Sequence, residues 1–345
     1  MERGAQDLLP VVLADGSFDA TVDPSCLTEA DVVIVVVGTP VDEHLNPDPS
    51  AVVAVLAELS PWLRRGQLIV LRSTVFPGVT RRVEDWFQEN HPGIAVAFCP
   101  ERIAEGSALR ELAELPQLVG ARTDDSADRA IMFFDTLGVR SIRVSPEEAE
   151  LAKLFTNSWR YIKFAVANQF WMMANEFNVD FERVRSAIID DYPRAEDMPS
   201  AGFAAGPCLL KDTTQLSAFS GNRFTLGSAA ITVNEGLPLY LIERLESRFQ
   251  LAEMTVGILG MAFKGEIDDN RSSLSYKLRK LLSFRAREVL CSDPYVVDDR
   301  LVDLDKLLHE SDLVVVATPH AVYQSLVIEK PLVDIWNLYG RGVRV

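Results

Sequence analysis

The chain has 345 residues, 48% of them hydrophobic and 24% charged, which is enough for two or three domains that each bury a core. Its formal net charge of −16 argues against a nucleic-acid partner or binding to an anionic membrane surface. No apolar run reaches the ~18 residues of a membrane span. The four cysteines have neither metal-ligand spacing nor disulfide density. We therefore expect a cytoplasmic protein without a metal, a membrane span or a nucleic-acid partner.

The first third of the chain alternates apolar runs with a helical pattern. Runs at 31–37, 67–72 and 94–98 predict strands, and the β-branched composition of the first predicts a strand buried on both faces. Residues 49–64 predict a helix between the first two strands. This alternation indicates a parallel sheet with right-handed crossovers.

A polar residue follows each of these three strands. Thr39, Thr74 and Glu101 follow the ends of the apolar runs within two or three residues. Ligands of open α/β sheets bind at the carboxyl ends of the strands. For any one of the three residues, ordinary turn chemistry is an equal alternative. Three together favour a site.

A long helix follows the first sheet. Ser145 is a suitable N-cap, Pro146 suits the first helical position, and Glu148 is placed for a capping box. No proline or glycine interrupts the chain from there to about Phe177. A helix of this length is typical of a spine between domains or of a dimer interface. The aromatic and methionine content of residues 165–177 predicts that this part is buried.

One face of this helix carries polar residues at helical spacing. Glu150, Lys153 and Asn157 stand at i, i+3 and i+7 beside apolar neighbours. They could line a cleft or form a solvated stripe, and the residue types alone slightly favour the stripe.

The alternation of strands and helices resumes at about residue 255 and predicts a second doubly wound α/β domain. Gly257-x-x-Gly260 is half of a dinucleotide fingerprint and weak evidence alone. The predicted strands are 255–259, 289–291, 313–317 and 332–335, and the predicted helices are 272–285 and 303–310.

Two further segments carry residues suited to chemistry. Small residues from Gly202 to Gly206 lead to Cys208, with Lys211 and Asp212 three and four positions later. A nearby cation favours the nucleophilic thiolate, whereas the alternative is a buried cysteine acting as a small hydrophobe.

Lys264 lies just past the carboxyl end of a predicted strand, and Arg271 lies near the predicted N-terminus of the next helix in the second α/β domain. Both positions suit phosphate binding, and a surface loop with balanced charges is the alternative.

Seven segments in order resemble the UDP-glucose/GDP-mannose dehydrogenase family. They are Gly38-Thr39-Pro40, Ser73 to Gly78, Pro100 to Gly106, Glu150-x-x-Lys153-x-x-x-Asn157, Cys208-Leu209-Leu210-Lys211-Asp212, Asn234 to Pro238, and Phe263-Lys264 through Asp269-x-Arg271-x-Ser273. The resemblance implies two Rossmann-like sheet domains joined by a long central helix and a helical dimerisation domain. We expect a partial NAD-binding domain at 1–144, a central domain at 145–250 and a UDP-sugar-binding domain at 251–345.

The resemblance also implies a role for each matched residue. Cys208 would attack the sugar aldehyde, Lys153 and Asn157 would perform acid/base and oxyanion work, and Asp212, Glu101 and Thr74 would position the hydrolytic water. The implied NAD contacts are Thr39, Thr74, Glu105, Lys211 and Arg271. The implied sugar-nucleotide contacts are Glu101, Lys153, Asn157, Gly202, Gly206 and Lys264.

The family's opening strand, Gly-x-Gly-x-x-Gly turn, helix and second strand have no counterpart in this sequence. The first sheet is therefore expected to be truncated at its N-terminal side, with the strand at 31–37 left as an apolar edge. We expect a fragment of an active enzyme rather than a degenerate homologue that only binds sugar nucleotide or dimerises.

The expected reaction is the two-step oxidation of a UDP-sugar to a uronic acid for polysaccharide synthesis, with NAD as cofactor and a homodimer as assembly. A single-step NAD dehydrogenase fits the fold but gives Cys208 no role. Ala204-Ala205-Gly206-Pro207 departs from the Gly-Gly doublet of the UDP-glucose enzymes. This favours a UDP-N-acetylhexosamine over UDP-glucose as substrate.

Overall fold

The computed structural model describes residues 2, 4–39, 48–204 and 206–345. They divide into two compact units. The N-terminal unit comprises Glu2–Asn157 and Thr214–Arg223, and the C-terminal unit comprises Ser158–Thr213 and Phe224–Val345. Within the described residues, no helix is long and apolar enough to span a membrane.

The N-terminal unit is built on a five-stranded sheet with the order β1-β2-β3-β4-β5. Neighbouring strands run parallel except β3 and β4, which pair antiparallel. Buried valines, leucines and phenylalanines from the sheet and from flanking helices form its core. The strands are β1 (Val32–Val35), β2 (Leu68–Leu71), β3 (Ala95–Phe98), β4 (Gln117–Gly120) and β5 (Ser141–Val144). The helices are α1 (Ala5–Ala14), α2 (Ala51–Leu59), α3 (Val79–Asn90), α4 (Ala108–Glu114) and α5 (Asp124–Asp135).

Strand β1 forms an edge of this sheet and corrects one prediction. Val33 and Val35 are buried, but Ile34 is 42% exposed and Val36, just beyond the strand, is 72% exposed. The expectation of burial on both faces was therefore wrong. Successive side chains of a strand point to opposite faces: Val33 and Val35 pack into one core, whereas on the other face Val32 is only partly buried against a second core and Ile34 is exposed.

The long helix α6 (Pro146–Glu176) begins as predicted and shares its residues between the two units. Ser145 and Glu148 form the capping box, with the Ser145 N–H donating to the Glu148 carboxylate at 2.7 Å and the Glu148 N–H donating to Ser145 Oγ at 3.3 Å. The helix ends where Asn178 adopts a left-handed conformation with φ 56°.

The predicted burial of residues 165–177 holds for one side of α6 only. Trp171 is fully buried, and its indole N–H donates to the Val343 carbonyl at 2.7 Å. A second side exposes apolar side chains at spacings of three, four and seven residues, which place them on one face. This exposed stripe consists of Trp159, Val166, Phe170, Met173 and Phe177.

The C-terminal unit contains a four-stranded parallel sheet with the order β7-β6-β8-β9. Its core joins this sheet to helices that include the second part of α6. The strands are β6 (Thr255–Leu259), β7 (Glu288–Ser292), β8 (Leu313–Val316) and β9 (Leu332–Asp334). The helices are α7 (Phe181–Ile189), α8 (Pro207–Phe219), α9 (Thr225–Glu246), α10 (Leu274–Leu282) and α11 (Leu304–Glu310), and α8 continues into the N-terminal unit. The prediction of two mostly parallel α/β sheets is confirmed.

Candidate active site

The carboxyl ends of β1 and β2 are tied together by hydroxyl groups. Thr39 Oγ1 donates to the Thr74 carbonyl at 2.6 Å, and Ser73 Oγ donates to the Val37 carbonyl at 2.6 Å. Because the two strands are parallel neighbours, the polar residues that follow them meet at one sheet edge. The structure therefore brings together Thr39 and Thr74, as predicted from sequence. The predicted turn residue Pro40 lies outside the described residues.

Glu101 follows β3 and is held by four hydrogen bonds. Its carboxylate pairs with the Arg72 guanidinium and accepts the backbone N–H groups of Arg102 at 2.7 Å and Ile103 at 2.9 Å. Burial opposes ionisation, but the Arg72 cation and these amides outweigh it and lower the pKa of Glu101. The side chain is therefore an ionised, fixed acceptor. Arg72 had no predicted role, because no local pattern links it to a residue 29 positions later.

Hydroxyl groups and a carboxylate at the ends of parallel strands can hydrogen-bond a carboxamide and ribose hydroxyls. This sheet edge therefore offers polar groups of the kind that such a ligand requires. Glu105 lies in the turn between β3 and α4 and is partly buried. Its neighbours Gly106 and Ala108 donate backbone N–H groups to the Glu2 carboxylate at 2.9 and 2.7 Å.

The polar face of α6 is buried, which overturns the solvated-stripe alternative. The relative exposures are 1% for Glu150, 9% for Lys153 and 4% for Asn157. A lysine is seldom this buried without a partner or a function. The sequence slightly favoured a solvated stripe because helical spacing shows that the three residues share a face, but it does not show whether other parts of the chain cover that face.

Glu150 has a structural task on this face. Its carboxylate accepts the Gly78 and Thr80 backbone N–H groups at 2.7 and 2.8 Å and the Thr80 hydroxyl at 2.6 Å. These amides open helix α3, so Glu150 caps that helix with a negative charge at the positive end of its dipole. The contact fixes α6 to the loop that follows Thr74.

Cys208 lies in the first turn of α8, and its side chain is exposed. The alternative of a buried hydrophobic cysteine is therefore wrong. By contrast, Cys99 and Cys291 are buried in the cores of the N-terminal and C-terminal units. Burial raises the pKa of each thiol to about 12.

The loop before Cys208 depends on two glycines. Gly202 and Gly206 have φ values of 154° and 107°. A Cβ at Gly202 would lie 2.4 Å from the Trp336 ring, and one at Gly206 would lie 2.7 Å from the Phe263 ring. Glycine is therefore required at both positions for conformation and for close packing. The contact with Phe263 brings the cysteine loop against the segment that carries Lys264.

A buried amide relay holds the start of this loop. The Gly202 N–H donates to Asn168 Oδ1 at 2.9 Å, Asn168 Nδ2 donates to Asn234 Oδ1 at 2.9 Å, and Asn234 Nδ2 donates to the Tyr161 carbonyl at 3.1 Å. Neither asparagine is accessible to solvent. Sequence reasoning missed Asn168, whose polarity within an apolar stretch of α6 was the available signal.

The remaining predicted residues of the C-terminal unit take distinct positions. Lys211 and the buried Asp212 lie on α8, with Lys211 Nζ 3.9 Å from Asp212 Oδ1. Lys264 lies in the loop after β6. The exposed Arg271 pairs with Asp269 through contacts of 2.5 to 3.0 Å. The Arg271 guanidinium, predicted to suit phosphate binding, is thus already engaged by a carboxylate.

Three family models match most of the chain. All three belong to the UDP-glucose/GDP-mannose dehydrogenase family. The model of the family's NAD binding domain matches residues 1–137, that of its central domain matches 147–236, and that of its UDP binding domain matches 257–341.

Individual relatives agree with the family models. A UDP-N-acetyl-D-mannosamine dehydrogenase of Methanocaldococcus jannaschii is 28% identical over 99% of this chain and 79% of its own length. An NDP-N-acetyl-D-galactosaminuronic acid dehydrogenase of Ralstonia nicotianae is 26% identical over 92% of this chain and 80% of its own length.

Solved structures show the same similarity in three dimensions. A UDP-D-ManNAc dehydrogenase from Pyrococcus horikoshii matches with a TM-score of 0.89 and 26% identity, covering 98% of this chain and 85% of that one. A UDP-glucose dehydrogenase from Pyrobaculum islandicum matches with a TM-score of 0.88 and 28% identity, covering 97% and 83%. The chain therefore belongs to the UDP-glucose/GDP-mannose dehydrogenase family, whose members are NAD-dependent nucleotide-sugar dehydrogenases.

Proposed function

We propose that this protein oxidises the C6 alcohol of a UDP-activated sugar to a carboxylate through a thioester on Cys208. The observation that carries the proposal is the exposed thiol in the first turn of α8, preceded by a glycine loop packed against Phe263 and hence beside Lys264. An accessible nucleophile next to Lys264, a residue proposed to bind the sugar nucleotide, suits covalent capture of the substrate.

The reaction balances in four steps. Removal of a hydride and a proton converts the alcohol to an aldehyde, and Cys208 Sγ then adds to the aldehyde carbon to give a thiohemiacetal. Loss of a second hydride and proton gives a thioester, which water hydrolyses to the carboxylate and the free thiol. When bound, NAD accepts the hydride at each oxidation. The net reaction consumes one water and two NAD and releases one uronate, two NADH and three protons.

We assign proton transfer and charge stabilisation to the buried face of α6. A buried lysine can change its protonation state readily, so Lys153 suits the acid/base role, with Asn157 donating hydrogen bonds to the developing oxyanion. Asp212, the ionised Glu101 and Thr74 are assigned to the hydrolytic water. Glu101, Lys153, Asn157, Gly202, Gly206 and Lys264 are proposed to contact the sugar nucleotide.

We assign the NAD contacts to Thr39, Thr74, Glu105, Lys211 and Arg271. The hydrogen bond between Thr39 and Thr74 supports this assignment for these two residues, because it fixes both at one sheet edge.

The proposed substrate class is a UDP-N-acetylhexosamine. Relatives named for UDP-N-acetyl-D-mannosamine, such as those of M. jannaschii and P. horikoshii, cover nearly the whole chain. A uronate of this kind would serve polysaccharide synthesis. All four cysteines are free, which supports a reducing compartment, and we place the enzyme in the cytoplasm.

The experiment compares NADH production by this chain with production by a chain extended upstream with a strand, Gly-x-Gly-x-x-Gly turn, helix and strand. UDP-N-acetylmannosamine and UDP-glucose are the substrates, and uronate is quantified beside NADH. We expect two NADH per uronate from the extended chain. One NADH per substrate with an aldehyde product would contradict the thioester route. UDP-sugar binding without turnover by either chain would support the alternative, a non-catalytic sugar-nucleotide-binding protein.

We also propose that the exposed stripe of α6 joins two copies of the chain. Its aromatic and methionine side chains lie on one helical face, as a helix–helix interface requires. Phe170→Asp together with Met173→Asp is expected to convert a dimer to a monomer in sedimentation or light scattering, because the stripe would then bury charges. Val297→Asp, at an exposed position away from α6, is the control and should leave the mass unchanged. A dimer that persists in the double variant, or a monomeric parent chain, would contradict this interface.

A further inference from the structure

The backbone of the loop between β6 and α10 donates hydrogen bonds to the carboxylate of Asp293, a residue that has no role in the proposed mechanism. Asp293, the first residue after β7, accepts the backbone N–H groups of Met261 at 2.6 Å and Ala262 at 3.0 Å through Oδ2. Its other oxygen accepts the N–H groups of Tyr295 at 2.8 Å and Val296 at 2.9 Å. The side chain has no solvent exposure.

His320 extends this contact to the far end of the same loop. Its Nδ1 accepts the Glu266 backbone N–H at 3.0 Å, and its Nε2 lies 3.1 Å from Asp293 Oδ2. An amide N–H can only donate, so this network assigns the ring proton to Nε2, which donates to Asp293. The fully buried imidazole of His320 therefore connects the Asp293 carboxylate to the backbone of Glu266.

The carbonyl side of the loop is fixed as well. The Ala262 carbonyl accepts the hydroxyl groups of Thr318 at 2.7 Å and Ser273 at 3.2 Å. Gly260 has φ 92°, and a Cβ there would lie 2.4 Å from Thr318. Residues 260–262 and 266 are thus anchored on both sides, and Lys264 lies between the anchors.

This arrangement changes how the loop can meet a phosphate. In dinucleotide-binding folds, backbone N–H groups after the first strand of a sheet face the ligand's phosphates. Here the N–H groups of Met261 and Ala262 already donate to the Asp293 carboxylate, itself an anion. These two N–H groups are therefore already engaged and are not available to a bound phosphate, and Lys264 is the cation within the loop.

We propose that Asp293 and His320 are positioning residues that hold the 260–266 loop so that Lys264 binds the diphosphate of the sugar nucleotide. This inference rests on the proposed function, since it assumes a UDP-sugar as ligand. Both residues act through the loop, whose backbone they hydrogen-bond.

A double-mutant cycle with UDP as the probe tests this role. Calorimetry measures the UDP dissociation constant for the parent chain, His320→Ala, Lys264→Ala and the double variant. We expect about a tenfold weaker Kd for each single variant, and little further loss when His320→Ala is added to Lys264→Ala, because coupled residues give non-additive effects. Equal Kd values for the parent chain and His320→Ala, or fully additive losses, would overturn the inference.

Atom-sparing replacements separate positioning from simple destabilisation and also serve if His320→Ala does not fold. Glutamine keeps a donor where Nε2 faces Asp293, whereas asparagine keeps an acceptor where Nδ1 faces Glu266. We expect His320→Gln to bind UDP more tightly than His320→Asn, because only glutamine retains the link to Asp293. Lower melting temperatures with unchanged Kd in both variants would leave His320 a purely structural role. If the parent chain itself binds no UDP, the proposed function fails, whereas a parent chain that binds UDP with His320 variants of equal affinity sinks only the positioning role.

Discussion

Replacing Cys208 with serine is expected to lower uronate formation about 10³-fold or more in the active enzyme, while UDP-sugar binding stays within a few-fold. A serine hydroxyl is a far weaker nucleophile than a thiolate at neutral pH, so the aldehyde would not be captured and no thioester would form. Uronate is measured by chromatography and substrate binding by calorimetry. Unchanged uronate formation would refute the assignment of Cys208 as nucleophile.

The exposure of the four cysteines provides a matched control. Cys26 and Cys208 are exposed, whereas burial raises the pKa of Cys99 and Cys291 to about 12 and keeps them as unreactive thiols at neutral pH. Cys26→Ser is therefore expected to retain full activity. In that variant, iodoacetamide should modify Cys208 first and remove activity in proportion, and UDP-sugar should slow the modification. Loss of activity in Cys26→Ser itself, or activity that survives alkylation of Cys208, would contradict the proposal.

Strands and helices with strong local patterns were predictable from the sequence. The β-branched run that became β1 and the capping box of Ser145 and Glu148 both appear where the residue types place them. Which face of β1 is buried was not predictable, because the composition of a strand does not show what packs against each of its faces. The same limit applies to α6, where Trp171 is buried and Phe170 beside it is exposed.

The residues expected to contact ligand were easier to identify than the residues that hold them. The polar ends of the strands and the Cys208 segment are local motifs, so their chemistry can be inferred from sequence. Asp293 and His320 are 27 positions apart and meet residues 261–266 only through the strand order of the second sheet. No local pattern contains that information. The buried Asn168 is similar, because its partners lie 34 and 66 positions away.

Asp293→Asn is expected to destabilise the C-terminal unit by about 3 kcal/mol at pH 7, which corresponds to a melting temperature lower by about 6–12 °C. Burial opposes ionisation of Asp293, but the hydrogen bonds from His320 and from backbone N–H groups outweigh it and lower its pKa from 3.8 to about 2. This difference alone corresponds to about 2 kcal/mol. The remainder arises because the asparagine NH₂ group would face buried N–H donors that the carboxylate now satisfies.

The pH dependence distinguishes this charge effect from the effect of the misplaced asparagine NH₂ group. Since the folded-state pKa lies below the unfolded value, the carboxylate's contribution is complete above about pH 4 and is lost as the pH falls towards about 2. The melting-temperature gap between parent and variant should therefore stay constant from pH 7 to about pH 5 and narrow below that. Asp299→Asn, at an exposed position in the same segment, should show no gap at any pH. A gap in Asp293→Asn that is the same at pH 3 as at pH 7 would contradict the charge effect and assign the whole loss to the NH₂ group of asparagine facing buried N–H donors, because asparagine and a protonated aspartate differ in neither volume nor net charge.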